Sequence, residues 1–179
     1  GFGSQILQNY QGKLPCPLVE YKGPGKSSKD FLFENASTYI APPGAEMTEA
    51  EFVRAVVEQA DCLLHLDVNN IYVNSRNFGF DPHAYLRQLP LERTCYVHVA
   101  GHYVEEDGLL VDTHGSDVID PVWQLLSEAY ARIGHAVPTC LERDFNIPDL
   151  PTLTQEVAQI TRLQKASFGE HATPQRRVA

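Results

Sequence analysis

Carboxylate and imidazole side chains recur in this sequence at the ends of short apolar segments. Glu34 follows "FLF", Asp67 follows "LLHL", His98 lies within "YVHVA", and Glu142 follows "TCL". The first three are spaced by roughly 30 residues, about the length of one β-strand and its helix. Because the carboxyl ends of successive parallel strands meet at one edge of a sheet, the spacing predicts that these side chains converge.

A second pair of such groups, Asp112 and His114, stands in "VDTHG". Residues two apart on an extended backbone face the same way, and Asp112 precedes Glu142 by roughly one further repeat. Converging carboxylates and imidazoles repel one another or are desolvated at high cost unless cations compensate them. Mixed nitrogen and oxygen ligands suit iron, manganese or zinc. The sequence therefore predicts a metal centre.

Each of these residues also has a more ordinary interpretation. A single Glu34 or Glu142 at a strand end is usually a helix cap or a salt-bridge partner, and Asp67 alone is typical of a helix N-cap. His98 between two valines is typical of a core histidine with a satisfied ring. Only the shared register of all of them favours metal ligation.

Other polar residues near these segments have less direct predicted roles. Asp144 lies two residues after Glu142 and is expected to transfer protons or support the ligands. In "HVAGH" His102 lies just past the strand and is expected to contact a ligand or the substrate. The remaining histidines are predicted to be structural or on the surface, namely His65, His83, His135 and His171.

The chain between these residues predicts alternating strands and helices, which indicates an α/β fold with a parallel sheet. Strands are predicted at Phe31–Phe33, Leu63–Val68, Tyr96–Ala100 and Thr139–Leu141. Helices are predicted over "TEAEFVRAVVEQA", Pro82–Gln88, "DPVWQLLSEAYARIG" and about Leu153–Gln164.

The ends of two helices have specific signals. Thr48 and Glu51 have the spacing of a capping box. In the helix after the third strand, Asp120 is the predicted N-cap, Pro121 takes the first helical position, and Gly134 ends the helix.

The composition limits the function classes. The chain has 179 residues, 43% of them hydrophobic, and a net charge of -9, which argues against nucleic-acid binding as the main activity. The four cysteines are far apart, so buried free thiols are expected for Cys62, Cys95 and Cys140. The sequence shows no apolar run long enough to span a membrane and no recognisable signal peptide, which favours a cytoplasmic location.

Three parts are predicted along the chain: an irregular extension over 1–30, a βα-repeat domain over 31–166 and a disordered tail over 167–179.

Together these motifs resemble one known family. "FLFENASTYI", "LHLDVNNIYVNSRNFGFDP", "YVHVAGH", "LLVDTHGSDVIDPVW" and "CLERDFNIP" are similar to the multinuclear non-haem iron-dependent oxidase family, formerly an uncharacterised protein family. The resemblance implies a xylose-isomerase-like TIM-type barrel that holds two or three iron ions. It also implies modification of cysteine or another side chain in a ribosomally made precursor peptide, with a small partner protein that presents the peptide.

The same ligand order resembles endonuclease IV, which holds three metals. By that resemblance Glu34 bridges two metals, Asp67, His98 and Glu142 are further ligands, and Asp112 and His114 hold another metal. Asn70 stands where the endonuclease has a histidine. By the family resemblance, Asn69, Asn70 and His102 orient ligands or substrate.

The resemblance covers only part of a barrel. Related barrels take two histidines from strands before the equivalent of Glu34, whereas this sequence has none before His65. A complete barrel needs about 250 residues. The sequence is therefore expected to form the carboxyl-terminal part of a barrel, with homo-oligomers as one consequence of its exposed edges. Two alternatives stay open: a zinc- or manganese-dependent hydrolase or isomerase of the same superfamily, and an inactive truncated metal-binding chain.

Overall fold

The computed structural model describes residues 31–169, which form a mixed α/β structure. The strands are β1 (Leu32–Glu34), β2 (Leu63–Asp67), β3 (Thr94–Ala100), β4 (Tyr103–Val104), β5 (Leu110–Val111) and β6 (Thr139–Glu142). The helices are α1 (Glu49–Gln59), α2 (Val68–Phe78), α3 (Pro82–Gln88), a 3-10 turn at Leu91–Arg93, α4 (Asp120–Ile133) and α5 (Leu150–Phe168).

The main sheet is parallel and has four strands in the order β1–β2–β3–β6. Its strands pair in chain order, apart from the antiparallel β4–β5 hairpin inserted between β3 and β6. This arrangement is compatible with part of a β/α barrel. The predicted extension over 1–30 lies outside the described residues, and so does the predicted disordered tail, except that Ser167 and Phe168 are helical.

The core lies between the sheet and its helices. Leu64 and Leu66 on β2, with Val97 and Val99 on β3, are fully buried in a cluster with the apolar faces of the helices. Because side chains alternate across a strand, the residues between them face the other side of the sheet. That other side carries the polar residues of the candidate site.

The helix signals are largely confirmed. Thr48 forms the predicted capping box with Glu51, and Gly134 ends α4 in the left-handed conformation at φ 73°. The predicted start of α4 was wrong by a residue, since Ile119 is the N-cap, Asp120 is the first helical residue and Pro121 is the second. Helix α5 is longer than predicted because Asp149 caps it earlier, with its side chain accepting a hydrogen bond from the Thr152 N–H.

Helix α2 was not predicted. Its sequence "VNNIYVNSRNF" is rich in asparagine and β-branched residues, which are modest helix formers. Asp67 starts it as N-cap by accepting a hydrogen bond from the Asn70 N–H at 2.8 Å, and Gly79 ends it at φ 74°. Asp67 thus closes β2 and caps the helix that follows.

Two further expectations concern cysteines and membranes. Cys62 is buried, whereas Cys95 and Cys140 are half-buried, and no disulfide joins any two of these three cysteines. Over residues 31–169, no helix is both long enough and apolar enough to cross a membrane.

Candidate metal centre

The polar face of the sheet gathers the predicted ligands at the carboxyl ends of the strands. Asp67 is paired in register with His98, and Glu34 is paired with His65. Glu142 lies opposite Ala100, two residues beyond His98, so it stands on the same face and slightly further along. The prediction that these side chains converge is confirmed by their positions.

His98 lies at the middle of this cluster. Its Nδ1 atom is 3.1 Å from Glu34 Oε1, 3.2 Å from Glu142 Oε2 and 4.0 Å from Asp67 Oδ2. Two sets of three ligand atoms, each within 4.8 Å of one another, share this histidine. The sets are Glu34, His65 and His98, and Asp67, His98 and Glu142.

His65 belongs to the cluster, which corrects the prediction that it is structural or on the surface. Its Nε2 atom lies 3.8 Å from Glu34 Oε1, and its ring is 4.0 Å from the His98 ring. The Nε2 atom is buried and has no hydrogen-bond partner among residues 31–169. The sequence feature that indicates this is the position of His65 two residues before Asp67, which places both side chains on one face of β2.

Asp112 and His114 extend the cluster beyond Glu142. His114 Nε2 is 2.9 Å from Asp112 Oδ1 and 3.6 Å from Glu142 Oε2. Within the described part of the chain this buried nitrogen makes no hydrogen bond of suitable direction, despite the short distance to Asp112. An imidazole nitrogen and a carboxylate oxygen at this separation are ligand types that suit iron, manganese or zinc.

The backbone holds His114 in an uncommon conformation. Its φ is 51°, in the left-handed region that residues with a Cβ rarely adopt. The Asp144 N–H donates to the His114 carbonyl at 3.0 Å, and the Asp144 carboxylate lies 3.2 Å from the His114 Nδ1 atom. Strain that surrounding contacts maintain is common at functional sites.

The electrostatics are those of crowded carboxylates. Burial, with the neighbouring Asp112, Glu34 and Glu142 charges, raises the pKa of Asp67 to about 8. Burial also raises the pKa of Glu142, whereas a hydrogen bond with His98 lowers the pKa of Glu34. Because these carboxylates oppose one another's ionisation, a bound cation would favour their charged forms.

The Asp112 carboxylate has the largest effect on the imidazole beside it, raising the pKa of His114 to about 9. This short contact with Asp112, and then the negative charges of Glu142 and Asp67, favour the charged imidazolium.

Two buried amides support the carboxylates. Asn35 donates from Nδ2 to the Asp67 carbonyl, and its own carbonyl accepts from Asn70 Nδ2 at 3.1 Å. Asn70 Oδ1 is buried without a hydrogen-bond partner in the described part of the chain. An amide oxygen left in this state is a potential ligand, and the role of Asn70 as a ligand stays a prediction.

Asn69 links Asp112 to His102. Asn69 Nδ2 donates to Asp112 Oδ1 at 2.8 Å, and Asn69 Oδ1 lies 2.9 Å from His102 Nδ1. A carboxylate only accepts hydrogen bonds, so the amide nitrogen must face Asp112 and its oxygen must face the imidazole. His102 therefore carries its proton on Nδ1, which leaves Nε2 as an acceptor. Burial lowers the pKa of His102 and keeps this ring neutral at pH 7.

The other predicted surface histidines lie apart from the cluster. His83 contacts Glu128 at 2.6 Å, and His135 is exposed. His171 lies outside the described residues.

Comparison with known proteins assigns the chain to a family. Residues 27–165 match the model of the RiPP precursor modification enzyme MbnB/TglH/ChrH, where RiPP denotes a ribosomally synthesised and post-translationally modified peptide. The chain belongs to this family. The matched residues include every side chain of the cluster, so the predicted family resemblance is confirmed.

Several UPF0276 proteins are similar to the chain. The protein from Shewanella amazonensis is 58% identical over 140 residues, which cover 78% of this chain and 50% of that protein. The protein from Nitrosospira multiformis is 56% identical, and those residues cover 75% of this chain and 47% of that protein. One from Pseudomonas aeruginosa is 52% identical, with 78% and 48% covered. The chain thus spans about half the length of the relatives it matches.

Proposed function

We propose that the chain is the carboxyl-terminal part of a β/α-barrel oxidase that uses two or three non-haem iron ions. Its substrate is a RiPP precursor peptide, which a small partner protein presents. The side chain that we propose it oxidises is cysteine. The observation that carries this proposal is the pair of ligand sets that share His98. Adjacent sets with a common member are the arrangement expected of a multinuclear centre.

The residues present fit such a group. The Nε2 atoms of His65 and His114 and the side-chain oxygen of Asn70 are buried ligand atoms without a hydrogen-bond partner among the described residues. Nitrogen and carboxylate oxygen together suit iron better than calcium or magnesium. The residues that would hold the metals are Glu34, His65, Asp67, Asn70, His98, Asp112, His114 and Glu142.

When bound, iron would supply the redox chemistry by which dioxygen oxidises the substrate side chain. The chain's own residues position protons around it. His102 presents Nε2 as a proton acceptor because Asn69 fixes its tautomer. Asp144 holds the His114 Nδ1 proton and so directs the other ring nitrogen to the cluster.

Elemental analysis together with oxygen uptake tests the proposal. The chain is purified without oxygen, loaded with ferrous iron, and given a synthetic precursor peptide with one cysteine. We expect about two or three iron ions per chain, with oxygen consumption and a mass change only on the cysteine peptide. Glu34→Gln should lose most of the iron, whereas the matched change Glu46→Gln at an exposed position should lose none.

Different results would support other functions. Binding of zinc or manganese, with hydrolysis and no oxygen uptake, would favour a hydrolase or isomerase. Absence of tightly bound metal after both aerobic and anaerobic purification would contradict the proposal.

A further inference from the structure

A groove lies beside the candidate metal centre, between the β4–β5 hairpin and the loop after β6. Its volume is about 370 Å³. The lining residues are Tyr103, Thr113, Gly115, Ser116, Phe145 and Asn146. Because this lining includes both neighbours of His114 in the chain, a molecule in the groove would lie next to the cluster.

The rim of the groove exposes large apolar side chains. Tyr103 and Phe145, which line the groove, are 50% and 63% exposed, and Ile147, next to the lining residue Asn146, is 66% exposed. Single exposed apolar residues are ordinary, but several that surround one groove are typical of a binding site for a protein or peptide.

The rim is also acidic. Glu105, Glu106 and Asp107 are exposed consecutively at the tip of the hairpin. Arg143, in the loop after β6, is engaged by other acids, since its NH2 lies 2.8 Å from Asp117 and 2.7 Å from Glu156. The surface therefore complements a basic partner.

The backbone of the hairpin favours a partner in extended conformation. The Leu110 N–H donates to Asn77 Oδ1, and the Leu110 carbonyl accepts from Asn77 Nδ2, so these two bonds occupy the outer edge of β5. Val104 lies opposite Leu110 in the register. The outward bonds of Leu110 make this a pair without mutual backbone hydrogen bonds, so the Val104 N–H and carbonyl point to the outer edge of β4. No backbone or side-chain group of residues 31–169 bonds to them, so another strand can add there.

We propose that the edge of β4 and its groove dock the precursor peptide through an extended segment of alternating basic and apolar residues. The segment adds to β4 as a strand, its apolar side chains enter the groove and its basic side chains meet the hairpin tip. This inference rests on the proposed function for the identity of the partner. It goes beyond that function by naming the surface and the sequence character that the surface selects.

Peptide binding tests the charge requirement independently of metal and turnover. The probes are fluorescein-labelled octapeptides of alternating lysine and valine, or of alternating glutamate and valine, measured by anisotropy on the metal-free chain. We expect the lysine peptide to bind at least tenfold more tightly, with an affinity that falls as salt rises. Glu105→Lys with Glu106→Lys should weaken its binding about fivefold or more. The matched double change Glu46→Lys with Glu92→Lys, at exposed acids elsewhere, should leave it unchanged. Equal loss in both double variants would overturn the inference, because binding would then follow net charge alone.

Strand addition has its own test. Val104→Pro removes the N–H on the free edge and should abolish binding, whereas Val104→Thr, which keeps the N–H, should retain it. Equal binding by both variants would overturn strand addition.

A photoreactive p-benzoyl-phenylalanine in place of Val104 identifies the occupant. Crosslinks to the lysine peptide support the proposal. Crosslinks that persist within the chain or between two copies despite excess peptide contradict it. Oxidation of a cysteine peptide without any such docking would refute this inference and leave the proposed function standing. Docking of the peptide without bound metal or oxidation would support this inference and contradict the proposed function.

Discussion

The side chain of Asn35 continues the parallel sheet onto Asp67. Asn35 Nδ2 donates to the Asp67 carbonyl at 2.8 Å, and the Asp67 N–H donates to Asn35 Oδ1 at 3.0 Å. Both residues are buried, with 1% of their surface exposed. One amide thus reproduces the two bonds of a strand pair just where β1 ends, and it fixes the spacing between Glu34 and Asp67.

Asn35→Leu should therefore impair both stability and the centre. It removes the acceptor of the buried Asp67 N–H and one of the bonds to the Asp67 carbonyl, which we expect to lower the free energy of unfolding by about 2 kcal/mol. Urea unfolding measures this loss, and elemental analysis should show a parallel loss of bound metal. The control is Gln164→Leu, which removes an amide bond to the Val137 carbonyl on the helical side of the sheet. Equal retention of metal by both variants would contradict a positioning role for Asn35.

The sequence predicted the parts of the site that depend on strand alternation. The Glu34, Asp67, His98 and Glu142 positions follow from apolar runs that end in a polar residue, and parallel pairing brings those ends together. The order of strands in the described sheet follows from the same repeat. A closed barrel depends on strands beyond those described and stays a prediction.

The features that the sequence does not predict depend on contacts between residues that are distant in the chain. Helix α2 was hidden because its residues have weak helical propensity, and packing of Val68, Ile71 and Val73 in the core overrides it. The bond from Asn69 to Asp112 joins residues 43 positions apart, and no local pattern encodes it. His65 does not share the register of the residues that end the strands, so the sequence alone predicts a structural or surface role for it.

His65 provides the clearest test of what the structure adds. If His65 is a ligand, His65→Ala should lower the metal affinity of one position by roughly tenfold or more. A similar loss is typical when a residue that supports a metal ligand is mutated. Metal titration followed by elemental analysis measures the change. His135→Ala, at an exposed histidine, should bind metal like the unaltered chain, and indistinguishable behaviour of the two variants would rule out His65 as a ligand.

Two neighbouring glutamates in α1 should respond to pH in opposite directions. Burial raises the pKa of Glu49 above 4.5, so the folded state keeps this proton to a higher pH than the unfolded chain. Its effect is destabilising and grows as pH rises above about 4.5. Glu49→Gln should therefore gain stability relative to the unaltered chain as pH increases from 4.5.

Glu51 supplies the matched control for this pH dependence. Hydrogen bonds from Thr48 lower its pKa, so its contribution is present above 4.5 and is lost as pH falls through the lowered value. Glu51→Gln should therefore differ most from the unaltered chain at neutral pH and least in acid. Thermal melts of the three proteins in the same buffers measure both trends, and parallel trends for the two variants would contradict these assignments.

Gly101 is required by a close approach of two backbone segments. A Cβ at this position would lie 2.0 Å from the Ser116 carbonyl oxygen and 2.7 Å from that of Asp117. Gly101→Ala must push the segment that carries His114 away, at a cost of about 2 kcal/mol, and should reduce metal binding. Gly79→Ala is the control, because its Cβ meets open space and only the φ of 74° is unfavourable, by about 1 kcal/mol. Calorimetry and metal analysis separate the two: equal metal content in both variants would show that the 101–116 contact does not hold the centre.

The tautomer of His102 follows from Asn69 and is directly measurable. Long-range ¹H–¹⁵N spectra at pH 7 should show a neutral ring protonated on Nδ1, assigned by comparison with His102→Gln. Asn69→Leu removes both the acceptor for that proton and the donor to Asp112, so the ring should then populate both tautomers. If the proposed function is correct, oxidation of the cysteine peptide should fall with this loss of a fixed acceptor, and its pH profile should change. His83, which contacts Glu128, is the internal reference whose signals should not move. A ring protonated on Nε2 in the unaltered chain would reverse the orientation of the Asn69 amide and remove the acceptor that we assign to His102.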